Sequence, residues 1–116
     1  MRLAQKLNLK DGMKVRVIGK PAGINLDDVV VTSSAKADAI LVFVKTLADV
    51  DNMCGPVVEA AKADRLAWIG YPKARQLGTD LNRDILWRHL LKQQIQGVRQ
   101  VPIDDAWSAM RFRPGK

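Results

Sequence analysis

Charged side chains gather around the ends of elements that the sequence predicts, and their types are those that bind anions. Lys73 follows a predicted strand, Leu66–Ile69, while Asp80, Arg83 and Asp84 stand three and four residues apart where the next helix starts. Lysine and arginine hold carboxylates and phosphates through charged hydrogen bonds, and an aspartate accepts a proton or a hydrogen bond. We therefore name as candidate ligand-binding residues Lys20, Lys73, Asp80, Arg83, Asp84, Asp105 and Trp107.

The same spacing has a structural interpretation. Residues three and four apart on a helix pair with one another, so Asp80, Arg83 and Asp84 would form a network that ties the helix start to Lys73 and to the last hairpin. In the ligand hypothesis, Lys73 and Arg83 instead hold an anionic group while Asp80 or Asp105 accepts a hydrogen bond. The sequence leaves both interpretations open.

Other chemistry is poorly supported by the residue types. The single cysteine, Cys54, excludes an intramolecular disulfide and a cysteine-based metal cluster. His89 lies within a predicted helix and has no evident acid, serine or cysteine partner, so we assign it a surface or packing role. We predict no catalytic residues, no metal and no cofactor.

The basic charge lies mostly in the second part of the chain. The 116 residues carry a net charge of +7, and the last 44 contribute nine basic and four acidic side chains to it. Because these cations are spaced out and few aromatics accompany them, they favour a solvated basic face over a nucleic-acid interface. Trp68, Trp87 and Trp107 lie within predicted elements, and we expect them in the core.

Apolar periodicity predicts alternating strands and helices. The helices expected are Arg2–Leu7, Leu47–Ala63 with an interruption at Pro56, and Thr79–Ile95 with Thr79 as N-cap and Gly97 beyond its end. The strands expected are Lys14–Ile18, Val29–Val31, Asp38–Val44, Leu66–Ile69, Val98–Val101 and Trp107–Phe112.

This order predicts a single α/β domain with a mainly parallel sheet. The turn at Pro102–Asp105 is too short for a crossover, so the last two strands should pair antiparallel. The expected fold is a small Rossmann-like three-layer sandwich. Its apolar stretches are shorter than the ~20 residues that span a bilayer, and the start lacks the apolar core of a signal peptide, so we expect a cytoplasmic protein.

Three stretches are similar to the signature of a family of small bacterial proteins catalogued as a domain of unknown function. They are Tyr71-Pro72-Lys73, Thr79-Asp80-Leu81-x-Arg83-Asp84 and Asp104-Asp105-x-Trp107-Ser108-Ala109-x-Arg111-Phe112. The resemblance covers nearly the whole chain and implies no established activity.

The chain also resembles, more distantly, the Rossmann-like fold of S-adenosylmethionine-dependent methyltransferases, whose sheet ends in an antiparallel hairpin. Met13–Gly23 occupies the place of their first strand and glycine loop. Here Lys, Pro and Ala separate Gly19 from Gly23, and Thr32-Ser33-Ser34 stands where the family has an acidic residue for the ribose. These departures favour a plain tight turn at Gly19 and Gly23.

We therefore predict a non-catalytic binding or regulatory module whose partner is a small anionic ligand or another protein. Two alternatives remain: a reduced S-adenosylmethionine-dependent or other small-ligand enzyme, and a weak nucleic-acid-binding protein. The exposed edges of so small a sheet also allow a homodimer.

Overall fold

A computed structural model of the chain has a mixed six-stranded α/β sheet, consistent with a Rossmann-like fold. It describes residues 3–10, 12–21, 23–24, 26, 29–34, 37–73 and 80–115. The elements are α1 Leu3–Lys6, β1 Lys14–Ile18, β2 Val30–Thr32, β3 Ala39–Phe43, α2 Leu47–Met53, α3 Gly55–Lys62, β4 Leu66–Pro72, α4 Arg83–Leu91, β5 Ile95–Pro102 and β6 Trp107–Pro114.

The first four strands are parallel and lie in the order β2-β1-β3-β4. The strands at the centre are apolar and β-branched, and β3 is buried along its whole length, as expected for strands covered on both faces. From β1 the chain first adds β2 on one side and then crosses back to place β3 on the other. The carboxyl ends of β1 and β3 therefore border a topological switch point, where α/β sheets usually bind ligands.

The last two strands close the sheet with an antiparallel end, as the short turn predicts. β6 pairs antiparallel with both β4 and β5, giving the order β4-β6-β5. A bulge between Gly97 and Arg99 changes the register of β5 against β6, so that Arg99 lies opposite Arg111. The α/β class and the antiparallel end are thus confirmed.

Two cores lie on opposite faces of the sheet. Helices α2, α3 and α4 cover one face, with Val57, Leu86 and Phe112 among its fully buried side chains. The other face is covered by the short helix α1 and by loop residues such as Ile24, which pack on Trp68. We call this second side the α1 face.

The helices are shorter than their periodicity predicts. The predicted helix is interrupted at Cys54, which separates α2 from α3. Pro56 lies in the first turn of α3, where a backbone N–H has no acceptor within the helix, so the N–H that proline lacks is not missed. The predicted helix Thr79–Ile95 was wrong at both ends. The N-cap of α4 is Asn82, and Thr79 lies outside the described residues.

The end of α4 is set by backbone conformation. Gln94 adopts a left-handed φ of 66°, which reverses the chain within three residues of Leu91. Gly97 therefore lies inside β5 and does not end the helix. The tryptophan predictions hold for Trp68 and Trp107, which are buried, but Trp87 is 40 % exposed.

No helix among the described ranges has the length and apolar character that crossing a bilayer requires.

Candidate functional site

Two clefts open at the carboxyl edge of the parallel strands. The first, which we call the α4 cleft, has a volume of about 370 Å³ and lies between the start of α4 and strands β4, β5 and β6. The second, the switch-point cleft, has a volume of about 600 Å³ and lies between the ends of β1 and β3. The residues that line the α4 cleft are Tyr71, Lys73, Asn82, Arg83, Asp84, Gln100 and Ser108.

The floor of the α4 cleft has two hydroxyl groups on neighbouring strands. Tyr71 of β4 lies directly opposite Ser108 of β6, so their side chains share one face of the sheet. Tyr71 is 1 % exposed, and its hydroxyl is buried without a hydrogen-bond partner in the part of the chain that the structure describes. A buried hydroxyl of this kind costs free energy until something binds to it.

The electrostatics of this hydroxyl involve the start of α4. Burial raises the pKa of Tyr71 to about 12, the positive charge of Arg83 lowers it in part, and Asp84 raises it. The phenol is therefore neutral at physiological pH and available as a hydrogen-bond donor. Arg83 and Asp84 thus act on this hydroxyl in opposite directions.

The walls of the α4 cleft carry two cations and one anion. Lys73 is half-buried where β4 ends, and its backbone N–H donates to the carbonyl of Ala106 at 2.8 Å. The side chain of Arg83 is 65 % exposed and forms an ion pair with Asp84, with Nε and Oδ1 3.5 Å apart. Arg83 thus points toward solvent, where an incoming anion can reach it.

The first turn of α4 places its backbone beside the same cleft. Asn82 caps the helix, and its Oδ1 accepts from the N–H of Ile85 at 2.9 Å. Asparagine is among the preferred N-cap residues because its short side chain reaches this donor. The N–H groups of the first turn and the helix dipole favour a negative charge at this end.

The switch-point cleft has a more apolar lining. The rings of Phe43 and Trp107 meet edge to face, with centroids 5.7 Å apart and planes at 80°. Met53 and Ile24 add further apolar surface, and Asp104 is the acidic residue of the β5–β6 turn that borders the cleft. The Asp104 carboxylate accepts two backbone N–H groups of this turn at 2.8 Å, so its main role is to hold the turn.

The two glycines of the loop after β1 have structural roles. Gly19 has a φ of +72°, and an added Cβ would lie 2.9 Å from the carbonyl oxygen of Phe43 and 2.8 Å from Met53 Cε. Gly23 has a φ of +88°, with open space around it. Both positions favour glycine through backbone conformation, and Gly19 does so also through close contact with β3.

The remaining candidate residues lie outside the α4 cleft. Lys20 donates through Nζ to the carbonyl of Ile24 at 3.0 Å, within its own loop. Asp80 accepts the N–H of Leu47 at 3.0 Å, which ties the approach to α4 to the start of α2. Trp107 lines the switch-point cleft, and Asp105 is exposed in the adjacent turn. The structure therefore brings together Lys73, Arg83 and Asp84 and separates the other four.

Sequence reasoning missed the polar floor of the α4 cleft. Tyr71 and Ser108 each lie in a run of apolar strand residues, and a polar group within such a run is a signal that was available. Their proximity depends on the β4–β6 register, which no local pattern reveals.

Other titratable groups belong to local structure. His89 Nε2 lies 2.7 Å from Oδ1 of Asp51, so the prediction that it has no acid partner was wrong. Within the described ranges, no group of three or more His, Cys, Asp or Glu residues is placed to hold a metal ion.

Comparisons with known proteins give the chain no family. No protein-family model matches it, and no curated protein is significantly similar to it.

Proposed function

We propose that this protein is a binding module for a small anionic molecule, which occupies the α4 cleft. The observation that carries the proposal is the buried hydroxyl of Tyr71, which has no hydrogen-bond partner among the described residues and belongs to the same cleft as Lys73 and Arg83. A carboxylate or phosphate oxygen would accept from the hydroxyl, while the two cations supply charged hydrogen bonds. The proposal rests on the residues of the cleft and not on the fold class, because one fold can carry many functions.

The charges in the cleft favour a modest negative charge on the ligand. Lys73 and Arg83 contribute two positive charges, and Asp84 contributes one negative charge that already pairs with Arg83. An anion that reaches Arg83 must compete with Asp84. Replacing Asp84 with Asn should therefore strengthen anion binding, whereas replacing Arg83 with Gln should weaken it.

A thermal-shift titration tests the proposal. Inorganic phosphate, simple carboxylates, common nucleotides and S-adenosylmethionine are compared at constant ionic strength. A ligand of the native state at about 100 times its Kd should raise the Tm by roughly 5–15 °C.

The variants locate the binding. Tyr71→Phe and Arg83→Gln should each remove most of the rise, while Arg88→Gln should retain it. Arg88 is a matched control because it lies on the same helix and donates through Nε to the carbonyl of Asp84, within α4. The proposal fails if no anion shifts the Tm, or if Tyr71→Phe and Arg83→Gln respond like wild type.

A second candidate is a reduced S-adenosylmethionine-dependent enzyme with a methyltransferase-like fold. The observation in its favour is the switch-point cleft, whose apolar walls include Phe43 and Trp107. Two features count against it: the loop glycines are explained by backbone geometry, and Thr32-Ser33-Ser34 supplies no carboxylate for a ribose.

The two candidates bind at different places and are separable. Ala106 lines the switch-point cleft, and Ala106→Leu would fill part of it. If the adenosyl compound binds there, this variant should lose the Tm rise and Arg83→Gln should keep it. Ala63→Leu, the same change at an exposed position after α3, is the control.

A further inference from the structure

We propose a second anion site on the α1 face of the sheet, in which Arg99 and Arg111 together bind one phosphate group. The bulge in β5 sets the register so that Arg99 lies directly opposite Arg111 of β6. Direct cross-strand partners project from the same face with Cβ atoms about 5 Å apart. Ala109 and Val101, the next such pair, lie in the core of the α1 face, which identifies the side on which the arginines project.

The arginine pair is unfavourable as it stands. Like charges directly opposite each other on a sheet repel. The Nε of Arg111 is also buried, and none of the described residues offers it a hydrogen-bond partner. On the strand beyond, the fully buried Trp68 is the register partner of Arg111, so Arg111 stands between Trp68 and Arg99 in the sheet.

Nearby groups do not neutralise the pair. Arg111 acts electrostatically on Asp64, but both oxygens of Asp64 accept from Arg113, at 2.9 and 3.1 Å. Within the described part of the chain, no carboxylate forms an ion pair with Arg99 or Arg111.

Two polar contacts of described residues add a neutral acceptor and a further cation to this surface. Arg99 donates through Nη1 to Oδ1 of Asn8 at 3.3 Å. Lys6 donates through Nζ to the carbonyl of Pro102 at 3.2 Å, which brings a further positive charge to β5. The surface is therefore electropositive and rich in hydrogen-bond donors.

A phosphate group matches this arrangement better than a carboxylate. One guanidinium fork satisfies a carboxylate, whereas a phosphate has three or four oxygens and up to two charges, which two adjacent forks can share. Binding would relieve the repulsion and give the buried Nε of Arg111 an acceptor. The site lies on the opposite face of the sheet from the α4 cleft and is independent of it.

Arginine side-chain NMR tests the proposal on the full chain. The Nε–H resonances of ¹⁵N-labelled protein are followed while phosphate replaces chloride at constant ionic strength, and Arg111→Gln identifies the relevant signal. We expect that signal to shift and saturate. Arg99→Gln should weaken phosphate binding at Arg111 about tenfold or more. Arg83→Gln, a change at the α4 cleft, should leave it unaltered.

The alternative outcomes are distinct. A shift that grows linearly without saturation, or an Arg99→Gln variant with wild-type affinity, overturns the proposal. Arg99 is exposed, so Arg99→Gln should fold normally. The affinity comparison with this variant is therefore possible even if Arg111→Gln does not fold.

A short single-stranded oligonucleotide then identifies the source of the phosphate. Tighter, salt-dependent binding that Arg99→Gln reduces would place the phosphate on a nucleic acid. Binding no tighter than that of free phosphate would place it on a small molecule.

Discussion

The hydroxyl of Tyr71 lies on the helix-covered face of β4, where it is buried and has no hydrogen-bond partner within the described ranges. Phenylalanine has the same shape without this polar group. We therefore expect Tyr71→Phe to raise the free energy of unfolding of the ligand-free protein by about 1 kcal/mol. Urea denaturation measures the change. A clear loss of stability would mean that the hydroxyl already has a partner in solution.

The same residue and Cys54 give the protein a sensitivity to alkaline pH. Burial, with the charges of Asp49 and Asp51, raises the pKa of the Cys54 thiol from 9.0 to about 12. Burial likewise raises the pKa of Tyr71 from 10.0 to about 12. Since each pKa is higher in the folded state, its stabilising contribution is complete below the unfolded value and is lost as the pH rises through the folded value.

The alkaline fall in stability should therefore begin near pH ~9. Cys54→Ala should reduce the fall by on the order of 2 kcal/mol at pH ~11, and Tyr71→Phe by about 1 kcal/mol. Denaturation curves recorded from neutral pH to pH ~11 test both variants against wild type. Unchanged slopes in the variants would show that other groups cause the fall.

At the scale of single elements, the start of α4 links stability to the α4 cleft. Asn82 caps this helix, and the next residue is Arg83. Asn82→Ala should lower the free energy of unfolding by about 1 kcal/mol because one N–H loses its acceptor. It should also weaken anion binding, because the fraying first turn would no longer hold Arg83 beside Lys73.

The matched control at this position is Asn82→Asp, which retains a capping oxygen. Denaturation and the phosphate titration together check the prediction. Equal stability of the alanine and aspartate variants would show that the cap is dispensable.

The end of α4 shows the limit of periodicity. Leu86 and Leu90 follow a helical spacing that continues to Ile95, which is why a helix through Ile95 was predicted. Gln94 reverses the chain first, and Ile95 is buried as the first residue of β5. An apolar residue fits the buried face of a helix and the buried face of a strand equally well. Apolar spacing alone therefore does not show whether Ile95 belongs to the helix or to the next strand.

At the scale of the whole molecule, Gly70 connects the core to the switch-point cleft. It lies opposite Phe43 in the parallel pair of β3 and β4, and an added Cβ would meet the Phe43 ring at 2.6 Å. Gly70→Ala should therefore lower the free energy of unfolding by roughly 1–3 kcal/mol. It should also displace the Phe43 ring from its contact with Trp107.

Denaturation monitored by tryptophan fluorescence measures both the loss of stability and the change in the surroundings of Trp107. Gly55→Ala is the control, because an added Cβ at the start of α3 meets no atom within 4 Å. This change should be neutral or slightly stabilising. Equal effects of the two substitutions would mean that Phe43 moves aside without cost.

The sequence is enough to predict the class and order of the elements. Runs such as Asp38–Val44 and the short turn at Pro102–Asp105 are local features, and the physics that makes them a buried strand and a tight hairpin acts over a few residues. It also placed Lys73, Arg83 and Asp84 near one sheet edge, because residues that end strands or begin helices lie at the edges of an α/β sheet.

Which polar groups become neighbours depends on long-range strand pairing. Tyr71 meets Ser108, and Arg99 meets Arg111, through strand registers that join distant parts of the chain. A shift by one residue in either register would turn these side chains to the opposite face. Register depends on the bulge in β5 and on packing against the helices, so the clefts and the arginine pair are properties of the assembled sheet.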